Sequence, residues 1–313
     1  MKTRLLAFLC LSTLSLSASE PPAALRDIHR IVFLGDSITQ AGTYVTDFDC
    51  WLVSKGLNIE VLCLGLASET ASDLTSEENA DHLKTYGFSR PSISERLGRV
   101  LAATKPDLVI ACYGMNDCSS LPPDESGTKR YADAMTQLRD SALKAGAKHV
   151  VLCSPPVKDS MKAEQGTEDE NISRYTTWLL SKKAEGWDIV DIHTPMRKEL
   201  DAAREKDPKF LFSPDGVHPG KEGHWLMARE ILTQFLGANL TSISSPEALF
   251  PANGSELVKL VDSRRDILFN AWMFQTGHKR PGSPGGPNTG ANETFKQSIA
   301  RANAISKQII QSP

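Results

Sequence analysis

Ser37 sits where a hydroxyl has two possible uses. In "RIVFLGDSITQ", Arg30 to Gln40, an apolar strand-like run meets Gly35-Asp36-Ser37, and a helix-like segment follows. The serine either caps that helix or attacks an electrophile, and on this stretch alone the cap is the plainer reading. Three other stretches change the balance. "CLGLASET" places Gly65 after a second apolar run, where a bare backbone N–H can approach a substrate oxygen. "YGMND" places the Asn116 amide, a side-chain donor, just beyond a third. Far downstream, "SPDGVHPGKEGH" holds Asp215 and His218 three residues apart, between Pro214 and Pro219. If that stretch forms a helical turn, the pair faces one way and the carboxylate steadies the imidazole. Together these residues supply a nucleophile, a base, its orienter and donors for an oxyanion.

Such residues must be gathered by a scaffold. Five apolar runs of strand length recur: "RIVFLG", "IEVLCLGL", "DLVIACYG", "HVVLCSP" and "WDIVDIH". Their continuous apolar character predicts strands covered on both faces, hence a parallel sheet with helices on either side, a doubly wound α/β domain. Between the runs, "TYVTDFDCWLVSKG", "PSISERLGRVLAATK", "RYADAMTQLRDSALKAG" and "ISRYTTWLLSKKAEG" show helical spacing, and "GKEGHWLMAREILTQFLG" is the expected closing helix. In an open parallel sheet ligands bind at the carboxyl ends of the strands, which is where Ser37 falls. Two segments stand outside the pattern. Ala71 to Arg90 is a long polar insertion, read either as a solvated excursion or as a shaper of the site. The tail beyond Gly237 holds a short apolar patch, "DILFNAWMFQ", expected to pack back on the α/β domain. A Gly/Pro-rich loop, Thr276 to Glu293, follows it.

The formal net charge of -3 over 313 residues carries no nucleic-acid signature. At the N-terminus, Lys2 and Arg4 precede an apolar run and then small residues such as Ser17 and Ser19. That is the layout of a secretory signal peptide over residues 1–19, with export to the periplasm or medium and no membrane insertion once it is removed. The mature chain keeps Cys50, Cys63, Cys112, Cys118 and Cys153, an odd set read as core thiols; Cys112 and Cys118 are the least implausible pair.

Gly35-Asp36-Ser37, Gly65, Gly114-Met115-Asn116-Asp117 and Asp215-Gly216-Val217-His218 resemble, in order, the four blocks of the SGNH (GDSL-type) hydrolases over roughly His29 to Gly237. The resemblance implies a three-layer flavodoxin-like sandwich with a five-stranded parallel sheet. It divides the chain into a hydrolase domain over 20–243 and an extension over 244–313. By it, Ser37 is the nucleophile, His218 the general base and Asp215 its orienter. The Ser37 and Gly65 amides and the Asn116 side chain form the oxyanion hole. Cys63 and Ser68 stand where many relatives carry Asn and Gly, a change that spares the Gly65 amide. "PDLVIACYGMND" is most similar to secreted bacterial carbohydrate O-acetylesterases, implying a small ester or an acetylated oligosaccharide or polysaccharide as substrate, and no cofactor or metal.

Other classes compete. A lipase or lysophospholipase of the same fold is the main alternative enzyme, and a non-catalytic glycan-binding module would lack Ser37, Asn116 or His218. No Gly-x-Gly-x-x-Gly follows the first strand, against a dinucleotide enzyme. Asp36 and Asp117 are read as serving their own turns, and His224 as facing solvent or capping the closing helix. Asp191 and His193 with His218 offer too few ligands for a metal site.

Overall fold

A computed structural model of the chain describes residues 21–159 and 166–312. The expected signal peptide lies outside them. The five apolar runs form β1 (Arg30–Gly35), β2 (Glu60–Cys63), β3 (Leu108–Cys112), β4 (His149–Cys153) and β5 (Asp188–Val190). They make one parallel sheet in the order β2-β1-β3-β4-β5. Only the first residue of β1, β2, β4 and β5 is part-exposed and β3 is wholly buried, as expected of strands covered on both faces. The order reverses beside β1, so its end opens into the crevice where such sheets bind ligands.

The helices are α1 (Ser37–Ala41), α2 (Thr43–Ser54), α3 (Ala80–Tyr86), α4 (Leu97–Thr104), α5 (Glu125–Lys144), α6 (Gly166–Ser181), α7 (His193–Lys206) and α8 (Lys221–Leu236). α2 packs on α8, while α4, α5 and α6 touch in succession; the sheet flanked by these helices is the three-layer sandwich. The insertion after β2 is ordered around α3, whose buried His82 sits between the Tyr86 and Phe88 rings.

Beyond α8 the chain builds two further helices, α9 (Gly254–Thr276) and α10 (Phe295–Gln311). The "DILFNAWMFQ" patch lies inside α9, which runs along α2 and β2 and pairs with α10. Polar contacts tie the tail down: Arg264 Nη2 reaches Asp49 Oδ2 at 2.6 Å, Thr46 Oγ1 donates to Asp262 Oδ1 at 2.9 Å, and Arg99 Nε donates to the Thr276 carbonyl at 2.9 Å. Thr294 and Gln297 cap α10 reciprocally. Cys50, Cys63, Cys112, Cys118 and Cys153 are all buried free thiols, so Cys112 and Cys118 do not pair. Among the described residues no helix is long and apolar enough to cross a membrane.

Candidate active site

β1 ends at Gly35, and the chain turns at Asp36 into the five-residue α1. The cap of that helix is Asp36, whose Oδ1 accepts the Ile38 amide at 2.9 Å. The Ser37 hydroxyl is therefore left for another partner. Its Oγ lies 2.7 Å from His218 Nε2. Burial, above all, pushes the Asp36 carboxyl up to about 7, against the pull of the Ile38 amide.

Asp215 and His218 come from the turn between β5's helix and α8. That turn is not helical, as Gly216 takes a φ of 84° and donates to the Ser213 carbonyl at 2.8 Å. The carboxylate organises it instead: Asp215 Oδ1 accepts the Val217 and His218 amides at 2.9 and 2.8 Å, while Oδ2 meets His218 Nδ1 at 2.7 Å. A carboxylate at Nδ1 selects the tautomer that leaves Nε2 free to accept the serine proton. Some burial opposes ionisation of Asp215, but the His218 amide and imidazole and the Val217 amide outweigh it and hold the carboxyl down to about 2. From outside the turn, buried Asp159 accepts the Ser213 amide at 2.9 Å and pairs with Arg204.

Gly65 continues the line of β2. The Leu64 and Leu66 amides donate to Phe33 and Gly35 of β1, both at 2.8 Å, so the intervening Gly65 amide turns away from β1. A Cβ on Gly65 would fall 2.3 Å from the Gln40 nitrogen, so only glycine lets this loop lie against α1. The loop then makes a left-handed step at Ser68, φ 67°, and Gln40 Oε1 holds it through the Ala67 amide at 2.7 Å. Asn116 faces the same loop: its Nδ2 donates to the Glu69 carbonyl at 2.9 Å.

A model of the GDSL-like Lipase/Acylhydrolase family matches residues 33–226, a stretch that contains Ser37, Gly65, Asn116, Asp215 and His218. The chain belongs to that family. No curated protein matches it. Among solved structures, this GDSL-like chain is similar to a gut microbial diltiazem-metabolizing enzyme at 21% identity and a TM-score of 0.51, over 66% of this chain and 46% of that one. It is also similar to an acetyl xylan esterase at 20% identity and a TM-score of 0.46, over 65% and 98%. A lipase/acylhydrolase from Enterococcus faecalis matches at 20% identity and a TM-score of 0.46, over 67% and 96%. At 21% identity the first of these likenesses speaks for the fold alone.

Several residues of this GDSL-like site were not singled out from the sequence. Glu69 and Arg96, both fully buried, pair at 2.6 and 2.7 Å, and the Tyr113 hydroxyl donates to the same carboxylate at 2.6 Å. Arg96 also donates to the Leu64 carbonyl at 2.7 Å, so this network holds both ends of the loop that carries Gly65. Arg90, the last residue of the polar insertion, donates from Nη1 to Asn116 Oδ1 at 2.7 Å. An arginine directly before a proline at the end of a loop was the available signal.

One sequence expectation is extended and another corrected. Asp117 does serve its own turn, its carbonyl accepting the Ser120 and Leu121 amides at 3.0 and 2.8 Å, but its fully buried carboxylate also accepts the Ala71 and Ser72 amides, both at 3.0 Å, anchoring the root of the insertion. His224 neither faces solvent nor caps α8: it is 4% exposed and stacks on Tyr44 with centroids 6.0 Å apart. Burial, then the positive charges of His218 and Arg265, push its pKa down to about 4. Asp191 and the Ser154 hydroxyl meet the first amides of α7, which occupies the end of β5 with capping. A cavity of about 1400 Å³ lies between α2, α8 and α9, but neither Ser37 nor His218 lines it.

Proposed function

We propose that the chain is an exported serine esterase that removes small acyl groups, acetyl foremost, from carbohydrate through an acyl-enzyme. The observation that carries this reading is the relay from Ser37 Oγ through His218 to Asp215, with both contacts at 2.7 Å. As Ser37 Oγ attacks the ester carbonyl carbon, His218 Nε2 takes its proton, and Asp215 steadies the imidazolium that forms. In this reading the tetrahedral oxyanion is met by the Ser37 and Gly65 amides and the Asn116 side chain, hydrogen-bond donors that offset the negative charge as it develops. His218 then returns the proton to the departing sugar oxygen. Water, deprotonated by the same imidazole, releases the acid and frees Ser37. None of these steps requires a metal or an organic cofactor.

The preference for a large alcohol and a small acyl group rests on the openness of the site. The side chains of His218 and Asp215 are 48% and 58% exposed, which suits a bulky polar substrate laid across the crevice better than a fatty chain that must be withdrawn from water. The test is a panel of acetylated oligosaccharides together with p-nitrophenyl esters of increasing chain length. Acetate release from the sugars, and acetyl turned over faster than octanoyl, is the expected result. Faster turnover of the octanoyl ester supports the lipase reading instead.

A further inference from the structure

The Asn116 amide is held at both ends, by Glu69 at the nitrogen and Arg90 at the oxygen, at 2.9 and 2.7 Å. A primary amide carries two N–H donors and one carbonyl acceptor, whereas a guanidinium only donates and a peptide carbonyl only accepts. The amide therefore has one allowed orientation. Turned over, its NH₂ would face the guanidinium and its oxygen would face the Glu69 carbonyl. With one N–H committed to Glu69, one remains for a substrate oxygen.

Arg90 reaches this position from fixed backbone. Its own amide donates to Asn79 Oδ1 at 2.8 Å, and Pro91 behind it confines it to an extended conformation. The Thr70 amide donates to the Pro91 carbonyl and the Ile93 amide to the Thr70 carbonyl, both at 3.0 Å. The segment that delivers the guanidinium is thus bonded to the residue after Glu69, which ties the two clamps on Asn116 to each other through the backbone. Among the described residues no carboxylate lies in ion-pair contact with Arg90, and its side chain is part-buried. A cation bonded to a neutral amide oxygen also draws electron density toward that oxygen, which strengthens the remaining N–H as a donor.

We infer that Arg90, supplied by the polar insertion, is a positioning residue of the oxyanion hole: it fixes and polarises the Asn116 amide so that its free N–H meets the developing oxyanion. This rests on the esterase reading and deepens it, giving the 71–90 insertion a catalytic purpose at a distance from the ester. The guanidinium reaches Asn116 Oδ1 and acts through that amide.

The test is hydrolysis of p-nitrophenyl acetate by the full chain carrying Arg90→Met, Arg90→Lys, Asn116→Ala, or Arg90→Met with Asn116→Ala. Titration with a fluorophosphonate refers each kcat to folded enzyme, so partial unfolding does not imitate the effect. Arg90→Met is expected to lose about tenfold in kcat at little-changed KM, less than the about 10²–10³ lost with an oxyanion donor itself. Arg90→Lys, which keeps a cationic donor, recovers part of that loss. In the Asn116→Ala background Arg90→Met costs nothing further, because both act through one amide. Unchanged kcat in Arg90→Met, or the same tenfold loss with Asn116 already removed, overturns the role of Arg90 while leaving the esterase reading in place. Wild-type protein that neither labels nor hydrolyses the ester overturns both.

Discussion

Asp36 Oδ1 accepts the Ile38 amide at 2.9 Å, so the residue before Ser37, and not Ser37, caps α1. The two readings of the serine at the end of β1 are separated by that bond. Replacing Ser37 by alanine removes no cap, and its effect on stability should stay within about 0.5 kcal/mol. Asp36→Ala should cost about 0.5–2 kcal/mol, and Asp36→Asn, which keeps an acceptor oxygen, should recover most of it. Urea unfolding of the three variants checks the order; a larger loss in Ser37→Ala than in Asp36→Ala would reverse the assignment.

His224 supplies a pH test. Its folded pKa is pushed down to about 4, from the ordinary 6.5, by burial first and then by His218 and Arg265. Between those values the unfolded chain binds a proton that the folded chain refuses, so this residue costs stability as pH falls from about 6.5 to 4. Asp36 and Asp47, pushed up to about 7 and 8 chiefly by burial, act in the opposite sense over that range, so the comparison must be made within one pair of proteins. His224→Phe keeps a ring against Tyr44 and removes the titration. Between pH 7 and 5, wild type should lose about 2 kcal/mol more than His224→Phe. Equal losses in urea unfolding at the two pH values would place His224 in water after all.

The tail offers a third test, because its docking includes a buried charge. Asp49 is raised by burial and held by Arg264, with side-chain exposures of 5% and 14%. Arg264→Ala leaves that carboxylate unpaired and should cost about 3–5 kcal/mol at pH 7, and less as the pH is lowered and the carboxyl takes up a proton. The same change at Arg301, a largely exposed arginine paired with Glu293, should cost far less. Similar melting temperatures for the two variants would show that α9 is not anchored through α2.

Much of this site could be read from the chain because each of its blocks is local. Ser37 follows its own strand, and Asp215 and His218 share one turn, so type and spacing reveal them. The groups that hold those residues come from distant parts of the sequence. Glu69 meets Arg96 and Asn116 meets Arg90 across separations of 27 and 26 residues, and nothing in either segment names the other. The extent of α9 was hidden for a related reason. Asp262 and Arg264 resemble a solvated face, yet they bond Thr46 and Asp49 of α2, and the helix around the apolar patch depends on those partners. His224 was misread because Tyr44, the ring that buries it, lies on another helix.

The central claim is that Ser37 attacks the substrate with His218 as its base, and labelling by a serine-directed fluorophosphonate tests it most directly. Wild-type protein should be labelled at Ser37. Ser37→Ala, folded and with an unchanged melting temperature, should take up no label. His218→Ala should be labelled far more slowly, and the double variant should be no less active than either single one, as residues acting in one unit are not additive. Equal labelling of folded wild type and Ser37→Ala would contradict the account.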